Sequence, residues 1–354
     1  MQSSNGKRRT WARAMAVGGS AVLAATLAGA GAVAAQDGTF PAEKADLTFG
    51  YRIAGLNSVA PLLVAEDRGL WQECGLNSVE LVLTESVQPG VVSGSLDAGL
   101  VETVDAGQAQ IDGLPVELIA AYRPFSRNVI AVAPHIETPA DLENENILLG
   151  GTPGTLDFDV RLGLLKEAGF DLEGVNYNPV TIEGFSDAWV AQLEEGNIVM
   201  TPIFNRHFDR LDEQGFQFWV DQLDFGSDHI VGNSDFLANN PESAAALLCG
   251  IIGGIQVWSD PANMDYILGL GEDFGIEITD RITLAYEQDI INYKPFDGGW
   301  PLDAMVDLYA EIVSPINDGA VVDLEALMNL GPLHRAQEAL GLEANPAFEE
   351  MAEG

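Results

Sequence analysis

The feature that most restricts this chain is a regular alternation of short apolar runs with helix-type runs, punctuated by glycine, proline and capping residues. Residues 47–53, 79–84 and 97–101 read as strands, with helical stretches at 60–65, before Gly94 and over 104–110. Apolar, β-rich runs follow at 115–122 and 128–133. The pattern restarts with a short capped helix at Thr138-Pro139-Ala140-Asp141-Leu142, then strands at 147–150, 175–181, 198–202 and 216–220. Helices are expected from the Gly151–Thr155 turn to Gly169 and over 186–194, and from Asn240 onward the chain reads as almost wholly helical. Such βα alternation predicts parallel or mixed sheets with helices on both faces.

Ahead of this body lies a different kind of segment. Lys7-Arg8-Arg9-Thr10-Trp11 precedes an uncharged Ala/Gly/Val/Leu stretch that closes on Ala32-Val33-Ala34-Ala35-Gln36. A basic start, an apolar middle and a small-residue exit make an export leader, so residues 1–35 are read as a signal and the rest as a periplasmic or otherwise extracytoplasmic protein. The Arg8-Arg9 pair fits the twin-arginine route, although a basic cluster is also an ordinary start. Gly18, Gly19, Gly29 and Gly31 favour cleavage over a retained anchor.

Removing the leader takes away four basic residues and no acid, which moves the formal charge from −38 to −42. That surface repels nucleic acid and anionic lipid. It either attracts cationic ligands or is simply a solvated acidic exterior. Exposed charges are screened beyond about 10 Å in ordinary salt, so ligand charge must be read from individual residues. About 319 residues then remain, enough for two domains that each bury a core. Cys74 and Cys249 are the only cysteines. In an oxidising compartment they can pair, while the apolar run around Cys249 equally suits a buried thiol. The scattered His135, His207, His229 and His334 lack metal-ligand spacing, and no cofactor or metal is expected.

Several phrases carry a resemblance. They are Ala60-Pro61-Leu62-Leu63-Val64-Ala65-Glu66-Asp67-Arg68-Gly69-Leu70-Trp71, then Cys74-Gly75-Leu76, then Val92-Ser93-Gly94-Ser95-Leu96-Asp97-Ala98-Gly99. Gly113-Leu114-Pro115-Val116, Thr138-Pro139-Ala140-Asp141-Leu142 and Asn239-Asn240-Pro241-Glu242 continue the series. In order and spacing this resembles the substrate-binding proteins of ABC importers, in the nitrate/sulfonate/thiamine-precursor group (SsuA/THI5-like, NMT1). The resemblance implies an α/β, type II periplasmic-binding fold with two lobes around a ligand cleft and two crossing segments. Lobe one would comprise residues 45–133 and 235–354, and lobe two residues 134–234. It also implies delivery of the ligand to a membrane permease, and a monomer is expected.

In open α/β sheets, ligands bind beyond the carboxyl ends of the strands, where helix N-termini present polar N–H groups. That rule selects Asn57 and Ser58 after the first strand, Glu85 after the second, and Glu102 and Thr103 after the third. Ser58 and Thr103 also suit helix caps. Glu102 interrupts an apolar approach and needs a partner, either a ligand cation or Arg123 or Arg127. Tyr122 offers a ring for stacking or for core packing, and Arg123 a fork for a ligand carboxylate. In the second half, Thr152, Gly154 and Thr155 resemble the group's anion-contacting turn. Asp157, just beyond, stabilises a helix start and opposes an anion there. Glu183, Phe204 and Asn205 complete the set, with Trp189 as a core-type aromatic.

Carboxylates beside ring faces suit a cationic or hydrogen-bond-donating ligand. The expected function is therefore capture of a small polar, nitrogen-containing organic solute for import. Three alternatives stand beside it: a sulfonate- or nitrate-type anion binder, an enzyme of this fold using Glu102 with Asp157 or Glu183 as acid and base, and a sensory partner presenting ligand to a receptor.

Overall fold

The apolar runs pair into two five-stranded sheets. The computed structural model describes residues 40–52, 55–122, 125–153, 156–182, 186–204, 207–225, 228–292, 297–299, 306, 309–314, 317 and 319–343; the export leader expected at 1–35 lies outside them. The strands are β1 (Asp46–Tyr51), β2 (Ser78–Leu83), β3 (Ala98–Glu102), β4 (Val116–Ala121), β5 (Phe125–Val132), β6 (Asn146–Ile147), β7 (Asn178–Pro179), β8 (Met200–Ile203), β9 (Gln217–Phe225) and β10 (Asp228–Asn233). The first sheet has the order β2-β1-β3-β10-β4 and the second β7-β6-β8-β5-β9. Sheet membership therefore changes between residues 121 and 125 and between 225 and 228, earlier along the chain than the expected lobe limits. Residues 125–132 pair with the second sheet, and 228–233 with the first.

Each sheet contains one strand of opposite direction. It is β10, antiparallel to β3 and β4, in the first sheet, and β5, antiparallel to β8 and β9, in the second. Both are the strands that follow a passage from one sheet to the other. The reason is geometric. β4 runs with β1 to β3 and ends at their carboxyl edge. β5 starts at the edge where β8 ends, since Val129 faces Ile203, and so runs back down. From Ala121 to Phe125 the chain spans at most about 14 Å, and from Phe225 to Asp228 at most about 11 Å. The carboxyl edges of the two sheets therefore border one common space.

Helices α1 (Leu56–Asp67), α2 (Leu70–Cys74), α3 (Val87–Ser93) and α4 (Thr103–Ile111) follow the first three strands. In the second half come α5 (Leu156–Glu167), α6 (Ser186–Glu194) and α7 (Phe208–Glu213). After β10 the chain is helical, with α8 (Ser234–Asn239), α9 (Pro241–Trp258), α10 (Met264–Phe274), α11 (Asp280–Asn292), α12 (Leu324–Leu327) and α13 (Gly331–Ala339). α9 is long and apolar enough to cross a membrane, but 72% of that span is buried in the protein, which makes it a core helix. It packs on α1 and α2 at backbone distance. A Cβ on Gly250 would lie 2.1 Å from the Trp71 ring, and one on Gly254 would lie 2.2 Å from the Pro61 carbonyl oxygen. Cys74 on α2 and Cys249 on α9 form a disulfide, which resolves the two readings of those cysteines.

One core serves the whole first half, from Phe49, Leu62 and Trp71 to Leu118, Leu247 and Leu333. The second sheet divides its residues between two smaller cores. Along β5, Ile130 and Val132 enter one while Val129 and Ala131 enter the other, the period-two alternation of a strand covered on both faces. Asp97 is a structural knot: its carboxylate accepts from Lys44 Nζ at 2.6 and 2.8 Å and from the Thr48 N–H at 2.9 Å.

Candidate functional site

The carboxyl edge of the first sheet gathers charge. Tyr51 ends β1 and Arg52 follows it, Glu102 ends β3, and Asp228 opens β10, paired directly opposite Glu102 in the antiparallel ladder. Register alone thus brings two carboxylates together. Arg52 lies among them. Its Nη2 donates to Glu102 Oε1, and its Nη1 lies 3.9 Å from Asp105, in the first turn of α4. Burial alone would lower the Arg52 pKa. Glu102, Asp105 and Asp228 outweigh that and raise it, so the guanidinium stays charged. A pocket opens here, lined by Tyr51, Arg52, Ser58, Leu100 and Asp228.

Glu102 therefore pairs with Arg52, a residue the sequence reading left inside a strand; Arg123 and the side chain of Arg127, the partners considered there, lie outside the described residues. Glu102 is also more exposed than expected, with 36% of its side chain accessible against 30% for Arg52. Asp228 is the opposite case, only 8% exposed. Its neighbour His229 is fully buried, and burial pushes the imidazole pKa down to about 3, which leaves the ring neutral.

Helix α1 aims its N-terminus at the same edge. Its cap is Gly55, and no side chain caps it. Ser58 is therefore in the first turn and is not the cap; it is buried and lines the pocket. Asn57, one residue before, is half-buried. Tyr122 departs from its expected role as a stacking platform. It is 1% exposed, and its hydroxyl donates to the Ser58 carbonyl at 2.7 Å, while its N–H donates to the Asp228 carbonyl at 3.2 Å. It ties the start of α1 to both passages between the sheets. Thr103 is also inaccessible to a solute, fully buried in the first turn of α4, with its carbonyl accepting from the Tyr309 hydroxyl at 2.9 Å. Glu85 is exposed before α3.

The second sheet contributes less. Thr152 is exposed beyond β6, and Asp157 falls within α5. Phe204, just past β8, is 50% exposed, and its N–H donates to Ser186 Oγ at the start of α6 at 3.2 Å. Trp189 packs in a core, with its indole N–H donating to the Ile182 carbonyl at 3.0 Å. Arg123, Gly154, Thr155, Glu183, Asn205 and the side chain of Asp157 lie outside the described residues. Among the described residues no cluster of His, Cys, Asp and Glu could hold a metal ion.

Sequence reasoning missed the two residues that give the pocket its charge. Arg52 carried a signal, since it is a cation closing an apolar strand at the predicted carboxyl edge. Asp228 carried none, because β10 was not recognised: Asp228, His229, Gly232 and Asn233 dilute its apolar run to Ile230 and Val231.

A family model described as NMT1/THI5 like matches residues 57–263. No curated protein sequence matches the chain. Solved structures do. A protein from Bordetella bronchiseptica RB50 is similar with a TM-score of 0.61 and 20% identity, over 85% of this chain and 99% of that one. The periplasmic aliphatic sulphonate binding protein SsuA from Escherichia coli is similar with a TM-score of 0.59 and 14% identity, over 81% of this chain and 92% of that one. A Candida albicans gene product with the generic periplasmic binding protein structural fold has a TM-score of 0.57 and 10% identity, over 84% and 95%. At these identities the likeness carries the fold, which is the expected α/β periplasmic-binding fold.

Proposed function

Because the chain belongs to the NMT1/THI5-like family, we propose that it is the solute-capturing component of an ABC importer. It takes a small polar, nitrogen-containing organic solute into the space between the two sheets, which act as its lobes, and delivers it to a membrane permease. The observation that carries this reading is the pocket at the carboxyl edge of the first sheet. Asp228 lines it with Arg52, and Glu102 and Asp105 also act on that guanidinium; a carboxylate-rich edge of this kind favours a ligand with a cationic or donating nitrogen. The role of relatives such as SsuA, named as a periplasmic binding protein, supports both capture and an exported location. So does the Cys74–Cys249 disulfide, a bond that persists in oxidising compartments.

Capture works by closure. Ligand that touches both lobes binds the closed form better, and this differential affinity shifts the open–closed equilibrium. The reading is tested by mass spectrometry of small molecules released from the gently purified mature protein, with a thermal-shift panel on the stripped protein. A retained nitrogenous solute that restores the melting temperature is the expected result. A retained sulfonate or nitrate without a nitrogen cation overturns the ligand class. No retained solute and no thermal response to any small molecule overturns capture itself. A chemically altered solute would instead favour catalysis by the carboxylates.

A further inference from the structure

We propose that the π-helical turn Tyr309–Val313 is a latch between the two lobes: fixed to the first, it bears on α5 of the second and limits how far they part when no solute is bound. This takes the two sheets with their helices as the lobes of the capture reading, and adds a device that acts in the ligand-free protein. Cα atoms of the turn lie within 8 Å of both α4 and α5. Its buried side chains, Tyr309 and Val313, belong to the first core. In contrast, α5 places Phe158, Leu164 and Leu165 in a core of the second sheet. A short segment of the first lobe thus reaches a helix of the other.

The anchoring is specific. The Tyr309 hydroxyl donates to the Thr103 carbonyl at 2.9 Å, in the first turn of α4 and one residue past the end of β3. Burial pushes that hydroxyl's pKa up, so it stays protonated and donating. The Tyr309 ring fills the space that a side chain on Gly107 would need, since a Cβ there would lie 2.6 Å from Tyr309 Cε1. Gly107 stands in the middle of α4, where glycine costs helix stability that alanine would not; the close approach of the ring is what requires it. At the far end of the turn Asn317 Nδ2 donates to the Val313 carbonyl at 2.9 Å. Turns of the π type are rare and gather at functional positions. The two passages between the sheets, at most about 14 Å and about 11 Å long, leave the lobes free to turn about the line that joins them. A third contact made outside the passages opposes that hinge motion, and the 309–313 turn with α5 supplies it.

The experiment is small-angle scattering of the mature protein stripped of solute, paired with hydrogen exchange read by mass spectrometry, on wild type, Gly107→Ala and Tyr309→Phe. Gly107→Ala displaces the Tyr309 ring while favouring the helix that carries it. Tyr309→Phe keeps the ring, removes only its hydrogen bond, and serves if the alanine variant does not fold. Wild type is expected near the radius of gyration of a compact chain of this length, about 20 Å, and the variants above it. Exchange in α5, where no residue is changed, should rise about fivefold, the equivalent of one lost hydrogen bond. Faster exchange confined to α4 and the 309–313 turn, at an unchanged radius, marks purely local packing and overturns the latch. A wild type already as expanded as the variants overturns it too. Either failure leaves the capture reading standing, because that reading is decided by whether a solute is retained.

Discussion

The two sheets share one plan and differ in how they are held. Both have the order 2-1-3-x-4 in local numbering, with the reversed strand entering from the other sheet. The first sheet has strands of five or six residues over a single continuous core, covered by the buried helix α9 and joined across α2 and α9 by a disulfide. In the second, β6 and β7 are two residues each, and its apolar side chains are split between two small cores. The charged pocket belongs to the first. The difference teaches that the first half is packed as one unit and stapled across the chain. The other divides its apolar residues between smaller cores, with Thr152 and Phe204 exposed beyond the ends of β6 and β8.

Four outcomes would break or sharpen this contrast. The largest effect is expected from the disulfide, which closes a separation of 175 residues. Reduction, or Cys74→Ser with Cys249→Ser, should lower stability by about 2–5 kcal/mol in denaturant titrations. Hydrogen exchange should rise in α2, α9 and the first sheet and stay unchanged in β5 to β9. Equal loosening of both sheets would mean that they unfold as one unit.

Acid should act next. The folded pKa of His229 is depressed to about 3, below the ordinary value near 6.5. Above that ordinary value the ring is neutral in both states. Below it only the unfolded chain takes up the proton, and stability falls by up to about 1.4 kcal/mol per pH unit until the folded pKa is reached. A stability-versus-pH series on wild type and His229→Gln should show this component vanish in the variant. If the two slopes match between pH about 6.5 and 4, the buried neutral imidazole is not what makes the first sheet acid-sensitive.

Gly250→Ala puts a methyl group against the Trp71 ring and is expected to lose about 1–3 kcal/mol; thermal melts that show no loss would mean that α9 can slide, and that the first half is less tightly packed than its close approaches imply. The smallest change is Tyr122→Phe, which removes one buried hydroxyl donor to the Ser58 carbonyl at a cost of about 1 kcal/mol. Because Tyr122 adjoins both passages, small-angle scattering of this variant with saturating solute should also show altered closure, an effect that a purely local packing role would not produce.

Much of the fold was legible because its signals are local. Alternating apolar runs located nine of the ten strands at least in part. Thr138 and Asp141 were read as a cap and do form a reciprocal capping box. The apolar run around Cys249 is indeed a helix. β10 escaped because burial on both faces removes the alternation that marks a strand, and its Asp228, His229 and Gly232 look like a turn when read alone. The rule that ligands gather at carboxyl edges picked Ser58, which lines the pocket, and Glu102, which pairs with Arg52 beside it. Tyr122 and Thr103 obeyed the same rule, yet packing turned both inward.

By itself the sequence determined the βα alternation, the acidic composition, the family phrases and the positions of strand ends, all of which depend on residues within a turn or two of one another. Only the tertiary structure decided which chain ends meet. The Cys74–Cys249 bond, the Arg52–Glu102 pair and the placement of Asp228 opposite Glu102 join residues far apart in the chain. Their proximity follows from strand order and register, which are set by the packing of whole sheets and leave no mark on the local pattern.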